Sequence, residues 1–270
     1  MGNATSQPRN KTGKKIVVQK VENAKKTNIL SLTEHNLEEI PEPVFQLTSL
    51  RTLDISKNKL QRLGKIGQLT ELKSLNCEDN SLRSSALSPI SKLVKLQSLS
   101  LGKNQLENNP ANQQSFPKLP QKIKTLKINH NSFSSIPKTV CTLSMLEKLD
   151  LANNNLASLP AEISNLVALT ELNLDNNVIV SVPSELGKLT KLKVLSLKNN
   201  YIQVTDPQPI PATVFEDTSL IDLNLHGNKM TSTQLNEFEG FDAFLSRRKK
   251  KKTTALVGGA MVNMSVCGLE

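Results

Sequence analysis

One pattern of leucines and an asparagine recurs nine times along the chain. Its clearest copies read Leu146-x-x-Leu149-x-Leu151-x-x-Asn154-x-Leu156 and Leu169-x-x-Leu172-x-Leu174-x-x-Asn177-x-Ile179. Six more centre on Asn58, Asn80, Asn104, Asn131, Asn200 and Asn228, and a degenerate first copy has His35 in the asparagine place. Successive steps are 23, 22, 24, 27, 23, 23, 23 and 28 residues. Self-similarity at this period means stacked units, none of which can bury its apolar face alone. A length of 270 residues allows one or two domains, and the unbroken array selects one.

The pattern has a direct physical reading. Alternation of the kind seen at Leu149 and Leu151 is a short strand with one face in a core. The chain must then turn, and an asparagine amide both donates and accepts, so it can satisfy backbone groups buried by the turn. Stacking would line up Asn58, Asn80, Asn104, Asn131, Asn154, Asn177, Asn200 and Asn228 as a ladder. Asn228, with no repeat beyond it, is expected to matter less than Asn154. The return segment reads Leu159-Pro160-x-x-Ile163-x-x-Leu166-x-x-Leu169, echoed at Ile40-Pro41, Ile136-Pro137 and Val182-Pro183. Apolar spacings of three predict short helical or 3-10 turns, each with its proline at the first helical position. This is the leucine-rich-repeat signature. The expected fold is α/β: a right-handed solenoid shaped as a horseshoe, with a parallel concave sheet and short helical or 3-10 convex segments.

Charge marks out the rest of the organisation. The net charge is +10, of which residues 1–26 carry +6 and residues 246–270 carry +5, leaving the body at −1. Three segments are predicted: a basic tail over residues 1–17, a solenoid over 18–245 and a basic, unstructured tail over 246–270. The solenoid includes a lid from Val18, Val21 and Ala24, and a cap helix opened by Thr231 and Gln234. That helix carries Leu235, Phe238, Phe241, Phe244 and Leu245, with Gly240 inside it. Positive charge confined to tails argues against a nucleic-acid partner. No apolar run is long enough to span a bilayer, and the first fifteen residues lack a secretory apolar core.

The tails suggest membrane contact. Met1-Gly2-Asn3-Ala4-Thr5-Ser6 fits the pattern for N-myristoylation of Gly2. One myristoyl chain binds membrane marginally, and Arg9, Lys11, Lys14 and Lys15 supply a second, electrostatic signal toward an anionic surface. At the other end, Arg247, Arg248, Lys249, Lys250, Lys251 and Lys252 form an unbroken cationic run. Such a run should repel itself out of compact structure and serve as a membrane contact, or as a nuclear import signal. Cys267 stands where C-terminal prenylation needs a cysteine, but Gly268 and Glu270 fit that signal poorly, so Cys267 is a secondary lipidation candidate.

The N-terminal motif, Val21-Glu22-Asn23-Ala24-Lys25-Lys26-Thr27, the Ile/Leu-Pro convex segments and Phe238-Glu239-Gly240-Phe241-Asp242 together resemble the leucine-rich-repeat-containing protein 57 family. The resemblance covers residues 1 to about 252. The long basic start, the longer repeats before Asn131 and Asn228, and the segment after Lys252 depart from it. It implies a small, lipid-anchored, intracellular protein without enzymatic activity.

Residues that could carry catalysis are scattered. His35, His130 and His226 lie in distant repeats, Cys77 takes a core position and Cys141 a convex one, so no metal or disulfide spacing arises. Neither a phosphate-binding glycine loop nor a nucleophile motif is present, and no cofactor is expected. Binding should use the concave sheet. There Glu147, Asp150 and Ala152, then Glu171, Asn173 and Asp175, are expected to point to water and gather acidity between basic neighbours. The expected protein is a monomeric, non-enzymatic scaffold on the cytoplasmic face of a membrane, the plasma membrane foremost, with a protein partner on its concave face. The alternative is a nuclear or cytosolic regulator of the phosphatase-regulator type.

Overall fold

Three residues per repeat are enough to make a sheet here, because the neighbouring repeat always supplies the missing partners. A computed structural model describes residues 11–108, 116–257 and 267–269. Its strands are β1 (Ile29–Ser31), β2 (Thr52–Asp54), β3 (Ser74–Asn76), β4 (Ser98–Ser100), β5 (Thr125–Lys127), β6 (Lys148–Asp150), β7 (Glu171–Asn173), β8 (Val194–Ser196) and β9 (Asp222–Asn224). They form one parallel sheet in chain order. Register never slips: the central leucines Leu30, Leu53, Leu75, Leu99, Leu126, Leu149, Leu172, Leu195 and Leu223 pair in sequence. All nine are buried. A one-residue slip would turn every leucine to water, so burial itself fixes the pairing.

The asparagine ladder is present and has a direction. Asn154 Nδ2 donates to the carbonyls of Leu151 at 2.9 Å and Ala152 at 3.3 Å in its own repeat, and to Ile128 in the preceding one at 3.1 Å. Its Oδ1 accepts the N–H of Phe133, again in the preceding repeat, at 3.1 Å. Every ladder amide looks back in this way. Asn228 therefore keeps its bonds to Leu197 O, Leu225 O and Ile202 N, so the missing repeat beyond it removes none of these partners. The end without a predecessor is the first repeat, and there His35 suffices: its Nδ1 lies 2.6 Å from the Thr33 carbonyl.

One feature of the bend was not foreseen. The residue before each ladder asparagine is left-handed: Lys57, Asp79, Lys103, His130, Asn153, Asn176 and Asn199 have φ of 51–57°. Asparagine tolerates that conformation better than most side chains, which accounts for the Asn-Asn pairs of the middle repeats. In the last repeat Gly227 takes the position at φ 75°, and a Cβ there would fall 2.1 Å from Asn199 Oδ1.

On the convex side the predicted 3-10 turns appear, at Glu42–Gln46, Ala161–Asn165 and Ser184–Lys188 among others. Their prolines sit one place earlier than expected. Pro41, Pro160 and Pro183 are N-caps with extended ψ of 133–153°. Their carbonyls accept the N–H three residues on, from Val44, Ile163 and Leu186, at 2.9–3.1 Å. A cap position uses the same fixed φ and needs no N–H, so proline fits it equally well.

Helices close both ends. Helix α1 (Lys11–Thr27) begins inside the predicted basic tail. It buries Val21 and Ala24 with Val17 beside them, whereas Val18 is 60% exposed. The lid face is thus 17, 21 and 24, a helical stripe. At the other end α2 (Ala212–Glu216) lies on the eighth convex segment. The predicted cap helix is two helices. Helix α3 (Ser232–Asn236) has the full capping box of Thr231 and Gln234, and Gly240, at φ 80°, turns the chain into α4 (Phe241–Val257). Phe241 and Phe244 pack on Phe215 with centroids 5.4 and 6.5 Å away.

Helix α4 continues through the basic run that was expected to stay unstructured, because its first turns are held by this aromatic cluster. Arg247 is part of the seal: its Nε donates to Leu220 O at 3.1 Å and its Nη2 to Phe215 O. Cys267 seals the sheet. Its carbonyl accepts the N–H of Leu225 at 2.8 Å, the role that Asn224 O plays for Leu197 one repeat earlier.

Replacing Asn154 by Ala should lower unfolding free energy by about 1–3 kcal/mol, since it strands buried backbone groups. The same change at Asn228 should cost a comparable amount. Urea denaturation of both variants checks the pair, and a near-neutral Asn228→Ala would contradict the backward direction of the ladder.

Candidate functional site

The concave faces of β5 to β8 enclose a shallow cavity of about 290 Å³ lined by Lys127, Lys148, Asp150, Glu171, Asn173 and Asp175 among others. It lies where the sequence placed the partner surface, but its charge is not simply acidic. Lys124 Nζ meets Glu147 Oε1 at 2.8 Å on the next repeat, and Lys148 Nζ meets Glu171 Oε1 at 2.6 Å. Opposite charges thus alternate along the rows. Each pair is roughly half exposed, and such pairs contribute about 0–1 kcal/mol to stability. Their value is in patterning the surface.

Asp150, Asn173 and Asp175 do more than face water. Asp150 Oδ1 accepts the N–H of Ala152, and Asn173 Oδ1 that of Asp175, both at 3.1 Å. Asp54, Asn76 and Asn224 do the same two residues on, for Ser56, Glu78 and His226. This row of short polar side chains turns the strand ends into the asparagine bend. Asp175 Oδ1 accepts from Ser196 Oγ at 2.5 Å and from the Lys198 N–H at 2.8 Å. Ala152, expected to face out, is buried, because the chain has left the strand plane by that residue; Lys148 takes the exposed strand position.

Two aspartates in one row titrate in opposite directions. Burial pushes Asp54 up, but hydrogen bonds from Ser56 Oγ at 2.6 Å and Ser56 N at 2.9 Å outweigh it, with Asn76 and Thr33 adding, and its pKa is lowered. Burial also pushes Asp150 up. The Ala152 N–H, Lys127 and His130 pull it down and Asp175 pushes it further, so its pKa is raised.

The other candidate residues are dispersed. Gly2 and Arg9 lie outside the described residues. Lys11, Lys14 and Lys15 lie on α1, and Lys15 is exposed. The run from Arg247 to Lys252 is helical, with Arg247 committed to carbonyls and its pKa lowered by burial, Arg248 half-buried, and Lys249 and Lys250 exposed. Cys267 is buried, and burial pushes its thiol up to about 12; Cys141 is pushed up to about 11. A buried protonated thiol is a poor acceptor for a lipid. Among the described residues no group of three or more His, Cys, Asp or Glu is placed to hold a metal, and no helix is long and apolar enough to cross a membrane.

A further exposed apolar group was missed by reading strands alone. Val178, Val180, Tyr201 and Val204 stand in the bends of neighbouring repeats at 39–56% exposure, with Lys229 Nζ 5.6 Å from the Tyr201 ring centroid.

Asp150→Asn should raise the melting temperature at pH 7, since asparagine keeps the turn acceptor, as at Asn173, without a half-buried, partly desolvated charge. A raised pKa makes the folded state hold its proton longer, so this gain should vanish in acid, where Asp150 is protonated. Thermal unfolding at pH 7 and pH 3 reads the difference; a gain equal at both would refute it. Cys267 in folded protein at pH 8 should resist iodoacetamide and react once urea is added, which mass spectrometry of the alkylated peptide resolves.

A family model described as a leucine-rich repeat region matches residues 118–237. The chain is 32% identical over 114 residues to a probable serine/threonine-protein kinase of Dictyostelium discoideum, covering 40% of this chain and 4% of that protein. Keratocan of Mus musculus is 32% identical over 118 residues, covering 42% and 31%. Toll-like receptor 1 of Homo sapiens is 35% identical over 111 residues, covering 39% and 14%. The chain thus spans under a third of the length of these relatives. Among solved structures, a leucine-rich-repeat protein of Leptospira interrogans superposes with a TM-score of 0.52 at 25% identity, covering 83% of this chain and 73% of that one. Internalin C2 of Listeria monocytogenes superposes with a TM-score of 0.60 at 22% identity, covering 83% and 90%. These likenesses fall on the repeats, and the fold of this chain is that of a leucine-rich-repeat solenoid.

Proposed function

We propose that this protein is a non-enzymatic adaptor whose concave face at β5 to β8 binds a protein partner, and that myristoylated Gly2 with the basic residues after it holds the adaptor on the cytoplasmic face of a membrane. Leucine-rich-repeat folds are typically non-enzymatic interaction modules, which supports this reading. The observation that carries the partner site is the alternation of Lys124, Glu147, Lys148 and Glu171 across adjacent repeats. A partner with complementary alternating charge would align on these rows, which gives register and on-rate more than raw affinity. The anchoring half of the reading rests on the Met1–Ser6 motif, on Arg9, Lys11, Lys14 and Lys15, and on the resemblance carried by the two ends of the sequence. Tethering at a surface would raise the effective concentration of a modest binder.

The aspartates of the cavity hold the backbone, so they are unsuited to charge reversal. Glu147→Lys with Glu171→Lys is the cleaner test. Melting should change little, while partners recovered by affinity purification should be lost. An unchanged partner profile would move the search to the bends around Tyr201.

Gly2→Ala should release the protein from sedimented membranes into the soluble fraction without affecting partner recovery in detergent extracts. Equal sedimentation of Gly2→Ala and wild type would end the acyl reading.

A further inference from the structure

Helix α1 leaves an apolar groove where it crosses the first repeat. Its stripe of Val17, Val21 and Ala24 is turned to the solenoid, but Ile16 and Val18 remain 47% and 60% exposed. Across from them stand Leu37, Pro41 and Pro43, and the space between measures about 870 Å³. That lies within the range of small-molecule sites, roughly 300–1,000 Å³. The acidic groups on its rim are already engaged: Glu22 with Lys25 at 2.6 Å and Glu34 with Lys57 at 2.5 Å. Lys20, His35 and Asn36 also line it, yet most of the surface facing the groove is hydrocarbon. An unbranched aliphatic chain fits such a lining.

We infer that this groove binds a saturated fatty-acyl chain, the one carried by Gly2 of the same molecule; the inference rests on the acyl reading above. Chain length permits it. Gly2 is nine peptide units from Lys11, a reach of about 30 Å when extended, whereas Ile16 lies about 8 Å along the helix from Lys11. The acyl chain then has two homes, the groove and the bilayer, and the protein's membrane affinity is reduced by the fraction of molecules whose chain is withdrawn. Ile16 and Val18 act as walls of the groove and set that fraction.

The test uses full-length protein made with and without co-expressed N-myristoyltransferase, the modification being confirmed by mass. Without membranes, the methyl NMR signals of Ile16, Val17, Val18 and Leu37 should shift in the acylated form, which should also melt higher. Unmoved methyl signals and equal melting would overturn the groove while leaving acylation standing. If the transferase leaves Gly2 unmodified, both the anchor reading and the occupant fall. Sodium myristate added to unmodified protein distinguishes a free fatty acid from the tethered chain: signals that respond only to the free acid would make the occupant wrong. In the second arm, acylated Ile16→Gln with Val18→Gln is mixed with vesicles of phosphatidylcholine and phosphatidylserine. Binding should tighten by roughly threefold or more, as the withdrawn state is lost. Weaker binding would mean that Ile16 and Val18 enter the bilayer themselves, and would overturn the proposal.

Discussion

An asparagine side chain that bonds both its own bend and the repeat before it is the interaction on which the rest of this molecule depends. Strands of three residues carry too few hydrogen bonds to persist singly. They persist because each bend is pinned by an amide reaching its own repeat and the one before, as Asn177 does to Leu151, Leu174 and Asp175. With bends fixed, the leucines stay in register over the whole sheet, and the concave rows inherit a regular spacing. The left-handed residue before each asparagine is the conformational cost of that arrangement, met with Asn in the middle repeats and with Gly at the last.

The sequence made the repeat legible because its period, its leucines and its asparagines are all local signals, and the structure agrees on each. What escaped notice depends on contacts across the chain. Val17 replaces Val18 in the lid because the crossing of α1 on the first repeat decides which stripe is buried. Six like charges from Arg247 to Lys252 suggested a free tail, yet Phe241 and Phe244 packing on Phe215, and Arg247 donating to the carbonyls of Phe215 and Leu220, hold a helix there. Asp150 and Asn173 looked like surface residues of a binding face. Their second task, holding the N–H two residues on, becomes visible once the same geometry recurs at Asp54, Asn76 and Asn224.

That double duty shapes how the concave face can vary. Positions 147, 148 and 171 carry charge in exposed pairs, and changes there alter the surface with little effect on the fold. Asp54, Asn76, Asp150, Asn173 and Asn224 each need a short side chain with an acceptor to hold the N–H two residues on, whereas Lys127 stands in the same row without one. On the proposed reading of this face, specificity would be written mainly in the long side chains between the turn-forming ones, at a spacing the ladder has already set.

An open parallel sheet carries a hazard at each end, since its last unpaired strand is a template for another chain. Here α1 lies over β1, and Cys267 places its carbonyl on the N–H just beyond β9. Head-to-tail addition of a second copy would repeat one heterologous contact indefinitely and produce a filament. The chain's own segments thus stand at both ends of the sheet, along β1 and at one hydrogen bond beyond β9, in the way of such an addition.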